Sequence, residues 1–447
     1  MLRPAILWAL SLAAAAPLRA QEPLTLGEAF RRADSAAYTN RIAGGNARAR
    51  GAQATAALQG ILPSVRAEAG YVQTDNPLAA FGFTLQQRGV SAASFNPASL
   101  NYPSPVTNWS GGLVAELPLI NADAWLGRGA ASSAAAAAVA SSGYTRETTR
   151  VDVARAYFGA ILAREQIRTL EAATAAGQAH RRQAESMVVN GLATRSDALL
   201  AAVQVGQLEA QLIGARGNGG IARERLALLL GQPGDTAFTL PDSLPSAGQI
   251  RNLVNPSTQD TTTRLDVTAA RLGLEAAQHD VRRASARYLP RLNGFGRYDW
   301  NSPVQLFGGP RSYTVGLMAS WSPFSGASEI ADRQGALGRA DAARAMVEAA
   351  EAGAALERNA TRTQLAVAIA QLGIAEVSVT QGAEAHRIVA RKYAGGLATI
   401  AELLSAAALE TQTRLGLSGA RYQAIVADAA ARQAAGADLM ALTALEN

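Results

Sequence analysis

Residues 190–204 read NGLATRSDALLAAVQ, and residues 395–409 read GGLATIAELLSAAAL. Both contain Gly-Leu-Ala-Thr, followed three places after the Thr by an acidic residue and then by an Ala/Leu run. Local chemistry accounts for either copy alone. Gly191 and Gly396 suit the left-handed position that ends a helix. Thr194 and Thr399 suit the N-cap of the next helix, with Asp197 and Glu402 as capping-box partners. Helix punctuation does not explain why Leu and Ala recur in the same order, so the second copy serves as a probe for a longer repeat.

The two Thr lie 205 residues apart. Upstream, WSGGLVAELPLINA (109–122) aligns with YTVGLMASWSPFSGA (313–327), and LPSVRAEAGY (62–71) aligns with LPRLNGFGRY (289–298). Two halves therefore repeat one plan: helix, Leu-Pro, strand, loop, strand, a very long helix, Gly-Leu-Ala-Thr, and another long helix. The period is far longer than that of a solenoid, which makes this a two-fold duplication. The expected organisation is a signal at 1–20, a first repeat at 21–230, a connector at 231–263 rich in Pro, Gly, Ser and Thr, and a second repeat at 264–447. Within these, strands are expected near 64–74, 108–118, 291–301 and 311–322, and long helices near 122–189, 195–230, 327–393 and 399–445. A helix of ~65 residues spans ~100 Å, too long to bury one face inside a compact domain. Such helices need each other, or copies of themselves, in a coiled-coil array. The glycines at 214, 217, 219 and 220 should weaken or kink the helix that contains them.

Composition agrees with long helices packed through small side chains: Ala dominates and aromatic residues make up 5% of the chain. The opening MLRPAILWALSLAAAAPLRAQ has a basic Arg3, an apolar stretch and a small residue at Ala20, the pattern of a secretory signal. The chain has no Cys, which excludes both disulfides and an N-terminal lipidated Cys. The formal charge of +6 is small and dispersed, which argues against a nucleic-acid partner. After the signal, no apolar run reaches the ~20 residues of a transmembrane helix.

The segments after each Leu-Pro alternate with period two. One set comprises Val65, Ala67, Ala69 and Tyr71, then Trp109, Leu113, Ala115 and Leu117, then Leu292, Tyr298 and Trp300, then Tyr313, Val315, Leu317, Ala319 and Trp321. The opposite set carries Arg66, Glu68, Glu116, Arg297 and Asp299, with Phe295 as an exception. Runs of ~9 to 11 residues with aromatic ends have the span of tilted transmembrane strands. Four strands cannot close a barrel, because hydrocarbon leaves no partner for an open edge and single-chain barrels start at ~8 strands. The chain must oligomerise, and the charged face suits the water-filled lumen of a twelve-stranded trimer better than a filled eight-stranded dimer.

With the duplication, the Leu-Pro entries and the two Gly-Leu-x-Thr turns in view, the sequence resembles the outer membrane efflux protein family, typified by TolC. The resemblance covers essentially the whole mature chain. It implies a mixed α and transmembrane β fold: a homotrimer whose four strands per chain build a twelve-stranded barrel in the outer membrane, continuing into an α-barrel of long antiparallel helices that crosses the periplasm. It implies a passive channel of a tripartite efflux or type I secretion system. The implied partners are outer-membrane lipid, a periplasmic adaptor and an inner-membrane transporter that supplies the energy and selects the cargo. Carried over, Gly191, Leu192, Thr194, Gly396, Leu397 and Thr399 are the adaptor-docking tip, and Asp197 and Tyr393 belong to the pore constriction. Ala398 stands where the family carries an Arg that helps hold such channels shut. Three Asp197 side chains ringing a pore would raise one another's pKa values and favour bound cations.

No cofactor or metal is expected. The three His (His180, His279, His386) stand singly in helical runs without ligand spacing. No nucleophile elbow or Walker loop occurs, and the chain is not expected to be an enzyme. The competing readings are a trimeric autotransporter-like adhesin and a structural coiled-coil protein of the envelope. The first would place its four strands consecutively at the C-terminus, and the second leaves the aromatic-ended strands without a purpose.

Overall fold

A computed structural model describes residues 23–234, 236–254 and 264–446. The expected signal at 1–20 and the connector residues 255–263 lie outside the described residues. In chain order, α1 (Leu26–Ala36) and α2 (Tyr38–Ala56) lead into β1 (Ser64–Thr74), and α3 (Pro77–Gln86) and α4 (Pro97–Asn101) occupy the loop before β2 (Val106–Ile120). Then come α5 (Ala122–Val189), α6 (Arg195–Leu229), α7 (Ala247–Leu253) and α8 (Leu265–Ala286). The chain continues through β3 (Arg291–Ser302), β4 (Arg311–Ser320), α9 (Ser328–Ala394) and α10 (Ile400–Ala435) to a 3-10 segment, Leu439–Glu446.

Three details depart from the sequence-based expectations. The connector contains α7, whose N-cap Ser246 and Gln249 form a capping box. The last long helix stops at Ala435, because Gly436 adopts φ 69° and the chain turns there. The glycine patch does not interrupt α6, which stays helical through Gly214–Gly220. Its buried positions Leu208, Leu212, Leu226 and Ala227 hold it on both sides of the patch, and this packing outweighs the weak intrinsic propensity.

The chain folds into two compact units, each assembled from segments distant in sequence. The first comprises the described parts of Met1–Arg41, Thr145–Thr262 and Glu357–Asn447. Its core gathers Leu26 and Phe30 of α1, Tyr157, Phe158 and Ile161 of α5, Leu226 of α6, Ile250 of α7, Leu372 of α9, Ile425 of α10 and Leu442 near the C-terminus. Polar contacts tie its chain ends together. The Tyr157 hydroxyl donates to the Leu24 carbonyl at 2.9 Å and also to Glu446, and the Leu26 N–H donates to Glu446 Oε1 at 2.8 Å. Arg150 pairs with Asp34. The buried Arg432 donates to Asp428 at 2.7 Å and to the Leu253 carbonyl at 3.1 Å, joining α10 to the end of α7. A second small cluster of Ala184, Ala201, Tyr393, Ile400 and Leu403 draws together both ends of the two helical turns.

The second unit, Ile42–Tyr144 and Thr263–Leu356, contains the sheet and the helical segments that enter and leave it. Arg271 of α8 pairs with Glu351 of α9 at 2.7 Å, and Arg287 pairs with Asp332. Arg264, just before α8, stacks over Tyr144 of α5. The strands run antiparallel in the order β1-β2-β3-β4. A register shift between Pro118 and Ile120 accommodates the proline in β2, which cannot donate to the ladder.

Candidate functional site: a two-faced sheet and a pair of helical turns

Residues directly paired in a β-ladder share one face. The register joins Ala67, Leu113, Tyr298 and Tyr313 in one row, and Ala69, Gly111, Trp300 and, at the strand end, Arg311 in the next. Val65, Ala115, Gly296 and Val315 form another row. The apolar sets of all four strands therefore fall on one face. That face is bare in the protomer: Val65, Val315 and Leu317 are each at least 70% exposed. Aromatic rings mark both ends. Tyr71 and Trp109 lie 4.7 Å apart between ring centres, near Tyr298, Trp300 and Tyr313. At the other end, the exposed Trp321 donates its indole N–H to the Tyr288 carbonyl at 3.0 Å. The eight residue steps from Tyr313 to Trp321 span ~27 Å of extended chain, matching the ~25 Å apolar band of an outer-membrane sheet. Gly111 is required here, because a Cβ would stand 2.2 Å from the Trp300 indole that crosses it.

The other face carries a connected chain of opposite charges. Arg66 reaches Glu116 and Glu68, each at 3.4 Å, and Arg297 reaches Glu68 at 3.7 Å and Asp299 at 2.7 Å. Glu68, Gly112 and Asp299 share one row, and the Asp299 carboxylate lies over Gly112, where a Cβ would stand 2.7 Å from its Oδ1. Phe295, the exception in the pattern, lies across Gly316 of β4 and covers exposed backbone. At the end near the long loop, Gln87 of that loop donates to the Asn108 side-chain oxygen at 2.9 Å, and Asn108 donates to Asn301 at 2.8 Å. Sequence reasoning missed this amide chain. Its members are 21 and 193 residues apart, and no periodicity links them.

The two Gly-Leu-Ala-Thr turns have the same hydrogen bonds. Gly191 and Gly396 sit at φ 72° and 73°, with open space where a Cβ would be, so backbone conformation alone calls for glycine. The Gly191 N–H bonds Val188 O at 3.0 Å and the Leu192 N–H bonds Met187 O at 2.8 Å; Gly396 to Tyr393 O and Leu397 to Lys392 O repeat these distances. Each helix thus ends in a Schellman motif. Thr194 and Thr399 then cap α6 and α10 through full capping boxes with Asp197 and Glu402. The Asp197 carboxylate accepts the Thr194 N–H at 2.9 Å, and the Glu402 carboxylate accepts the Thr399 N–H at 2.7 Å. That bond holds the Glu402 carboxyl below the usual glutamate range.

Leu192 and Leu397 project from these turns, 74% and 81% exposed. Tyr393 instead turns inward, 3% exposed, with its hydroxyl unpartnered. Burial and the nearby Asp197 charge both push its phenol above the usual range. The structure thus places the buried Tyr393 within reach of the Asp197 charge, and leaves the two Leu at the surface.

A bare apolar sheet face between two aromatic levels, backed by a charged face and joined to very long helices, defines an outer-membrane channel protein. Solved channels share the fold. VceC of Vibrio cholerae superposes with a TM-score of 0.75 at 21% identity, covering 92% of this chain and 96% of that one. CmeC of Campylobacter jejuni gives 0.76 at 14% identity, covering 98% and 93%. MtrE of Neisseria gonorrhoeae gives 0.71 at 18% identity, covering 92% and 89%. A comparison with curated protein sequences finds no match. The profile of the outer membrane efflux protein family matches residues 43–232 and 261–437, and the chain belongs to that family.

Proposed function

We propose that this chain is one protomer of a homotrimeric conduit in a tripartite efflux or type I secretion system. Three copies would edge-pair their sheets into a twelve-stranded barrel in the outer membrane and align their long helices into a periplasmic α-barrel. The observation that carries this reading is the sheet: four strands in one antiparallel sheet, apolar on one face, with β1 and β4 each paired on one side only among the described residues. In hydrocarbon an open edge leaves its N–H and C=O groups without partners, and closure with further copies removes it. The apolar side chains that α9 exposes, among them Leu356 and Ile374 at 71% and 68%, would be covered by neighbouring helices in the same assembly. The matching hydrogen bonds of the two turns support the two-repeat organisation, with domains at 21–230 and 264–447 around the connector 231–263.

At the turns, the exposed Leu192 and Leu397, presented by Gly191, Thr194, Gly396 and Thr399, form an apolar rim for a periplasmic adaptor that links the channel to an inner-membrane transporter. Asp197 and Tyr393 would contribute to the constriction at that rim. Cargo is selected by the inner-membrane partner. Purified from outer-membrane fractions, the protein should run as a heat-labile trimer and conduct ions in planar bilayers; a soluble monomer overturns the reading. In the assembly, Leu192→Asp with Leu397→Asp should abolish efflux while trimer and conductance persist. Asp197→Ala should alter conductance or its block by divalent cations, and an unchanged channel would leave Asp197 as a helix cap alone.

A further inference from the structure

In the first unit, α5, α6, α9 and α10 line a cavity of about 390 Å3. Two of its lining residues are His180 of α5 and His386 of α9, whose rings stand edge to face with centres 5.5 Å apart and planes at 80°. The Nε2 atoms of both rings are buried and have no hydrogen-bond partner. On the far side of the second ring, His386 Nδ1 lies 2.5 Å from Glu410 Oε2. The other Glu410 oxygen accepts two N–H bonds from Arg414, at 2.6 and 2.9 Å. A buried nitrogen without a partner needs an explanation, and two on neighbouring rings that line one cavity point to a shared occupant.

We propose that His180 and His386 form a two-imidazole site for a borderline divalent transition ion of the zinc class, with Glu410 as its positioning residue. The carboxylate fixes the tautomer: Nδ1 of His386 donates to Glu410, so Nε2 carries the free lone pair. This carboxylate–histidine arrangement is the one that orients imidazoles toward metal ions and raises their basicity. The pair also has a suitable spacing. With a Zn–N bond of ~2.1 Å, an ion sits ~3.2 Å from each ring centre, and two such vectors spanning 5.5 Å open by ~120°, within a distorted tetrahedron. Among the described residues no group of three His, Cys, Asp or Glu side chains converges, so water in the cavity completes the shell and the site is open.

Imidazole nitrogens suit Zn2+, Ni2+, Co2+ and Cu2+ better than Mg2+ or Ca2+, which take oxygen ligands. His180 precedes Gly191 by eleven residues and His386 precedes Gly396 by ten, three helical turns or ~16 Å in each case. A bound ion would fasten α5 to α9 close to both turns.

The test uses full-length protein in detergent, stripped with chelator and free of any polyhistidine tag, titrated calorimetrically with Zn2+ alone. One Zn2+ per chain is expected, weakening as pH falls because protons compete for the imidazoles. His180→Ala and His386→Ala should each abolish this binding, Glu410→Gln should weaken it ~10-fold, and His279→Ala should leave it unchanged. Visible absorption of bound Co2+ should appear with the native protein and vanish in both histidine variants. Equal Zn2+ affinity in the native protein and the His180→Ala/His386→Ala double variant, or no binding by the folded native protein, overturns the proposal. Neither outcome depends on trimer formation or conductance.

Discussion

In the sheet, β2 and β3 are paired on both sides, whereas β1 and β4 each keep one row of backbone groups free among the described residues. At the Gly-Leu-Ala-Thr turns, the backbone groups released where α5 and α9 end are taken up within a few residues by the Schellman bonds, and those opened where α6 and α10 begin by the Thr caps. The sheet therefore leaves an apolar face bare and two edges unpaired, which in the proposed assembly meet hydrocarbon and further strands. The turns are finished locally, and what they leave over is two exposed leucines. In the proposed assembly the contrast separates two kinds of function: a surface completed by further copies and by lipid, and a surface completed by a different partner.

The hardest way to break this comparison is to give the apolar face a charge. Leu317 lies mid-strand in β4, 70% exposed on the face assigned to lipid. Leu317→Arg should cost ~2–4 kcal/mol of folding stability in a bilayer, as charges near the midplane of such barrels do. The measurement is denaturant unfolding from lipid vesicles. The same assay on Arg297→Gln, one face over, should show less than half that loss, because its ion pairs are exposed and screened. Equal effects on both faces would mean that the apolar face is not against lipid.

These two regions were the legible parts of the sequence, and for physical reasons. A strand alternates with period two, so Val315 and Leu317 announce their shared face before any partner is known. A capping box closes within four residues, so Thr194 and Asp197 announce theirs too. What stayed hidden depends on which positions of distant helices face each other. His180 and His386 lie 206 residues apart in runs with no ligand spacing, yet their rings touch. The inward turn of Tyr393 is decided by its packing against Ala201 and Leu403 of other helices, not by its neighbours in sequence. The Gln87–Asn108–Asn301 chain likewise depends on where a long loop folds back.

The turns themselves offer smaller, paired tests. Gly191→Ala and Gly396→Ala should each destabilise by ~1–2 kcal/mol, the cost of placing a Cβ in the left-handed region. The two effects should be nearly equal, because neither site has a heavy atom within 4 Å of the added carbon. Thermal unfolding of the detergent-solubilised protein measures both. A cost well above that range at one turn only would show that its glycine also serves a close contact. Next in size, Thr194→Ala and Thr399→Ala should each cost ~1 kcal/mol, as the loss of an N-cap does, and hydrogen exchange in the first turns of α6 and α10 should rise accordingly.

The smallest effect concerns protons. The Thr399 N–H and hydroxyl hold the Glu402 carboxyl below the usual glutamate range in the folded chain. A depressed folded-state pKa means that the unfolded chain binds the proton first. The cap's contribution is therefore complete at neutral pH and is lost as the medium is acidified through the lowered pKa, with no change on the alkaline side. Amide exchange at the start of α10 should accelerate on acidification beyond the intrinsic chemical trend. In Glu402→Gln, whose side-chain oxygen can still accept the Thr399 N–H but cannot titrate, that excess should disappear while the neutral-pH protection stays within a fewfold of native. If the excess persists in this variant, another group controls the turn's response to acid. The second turn would then not be self-sufficient, and its likeness to the first would end at the backbone.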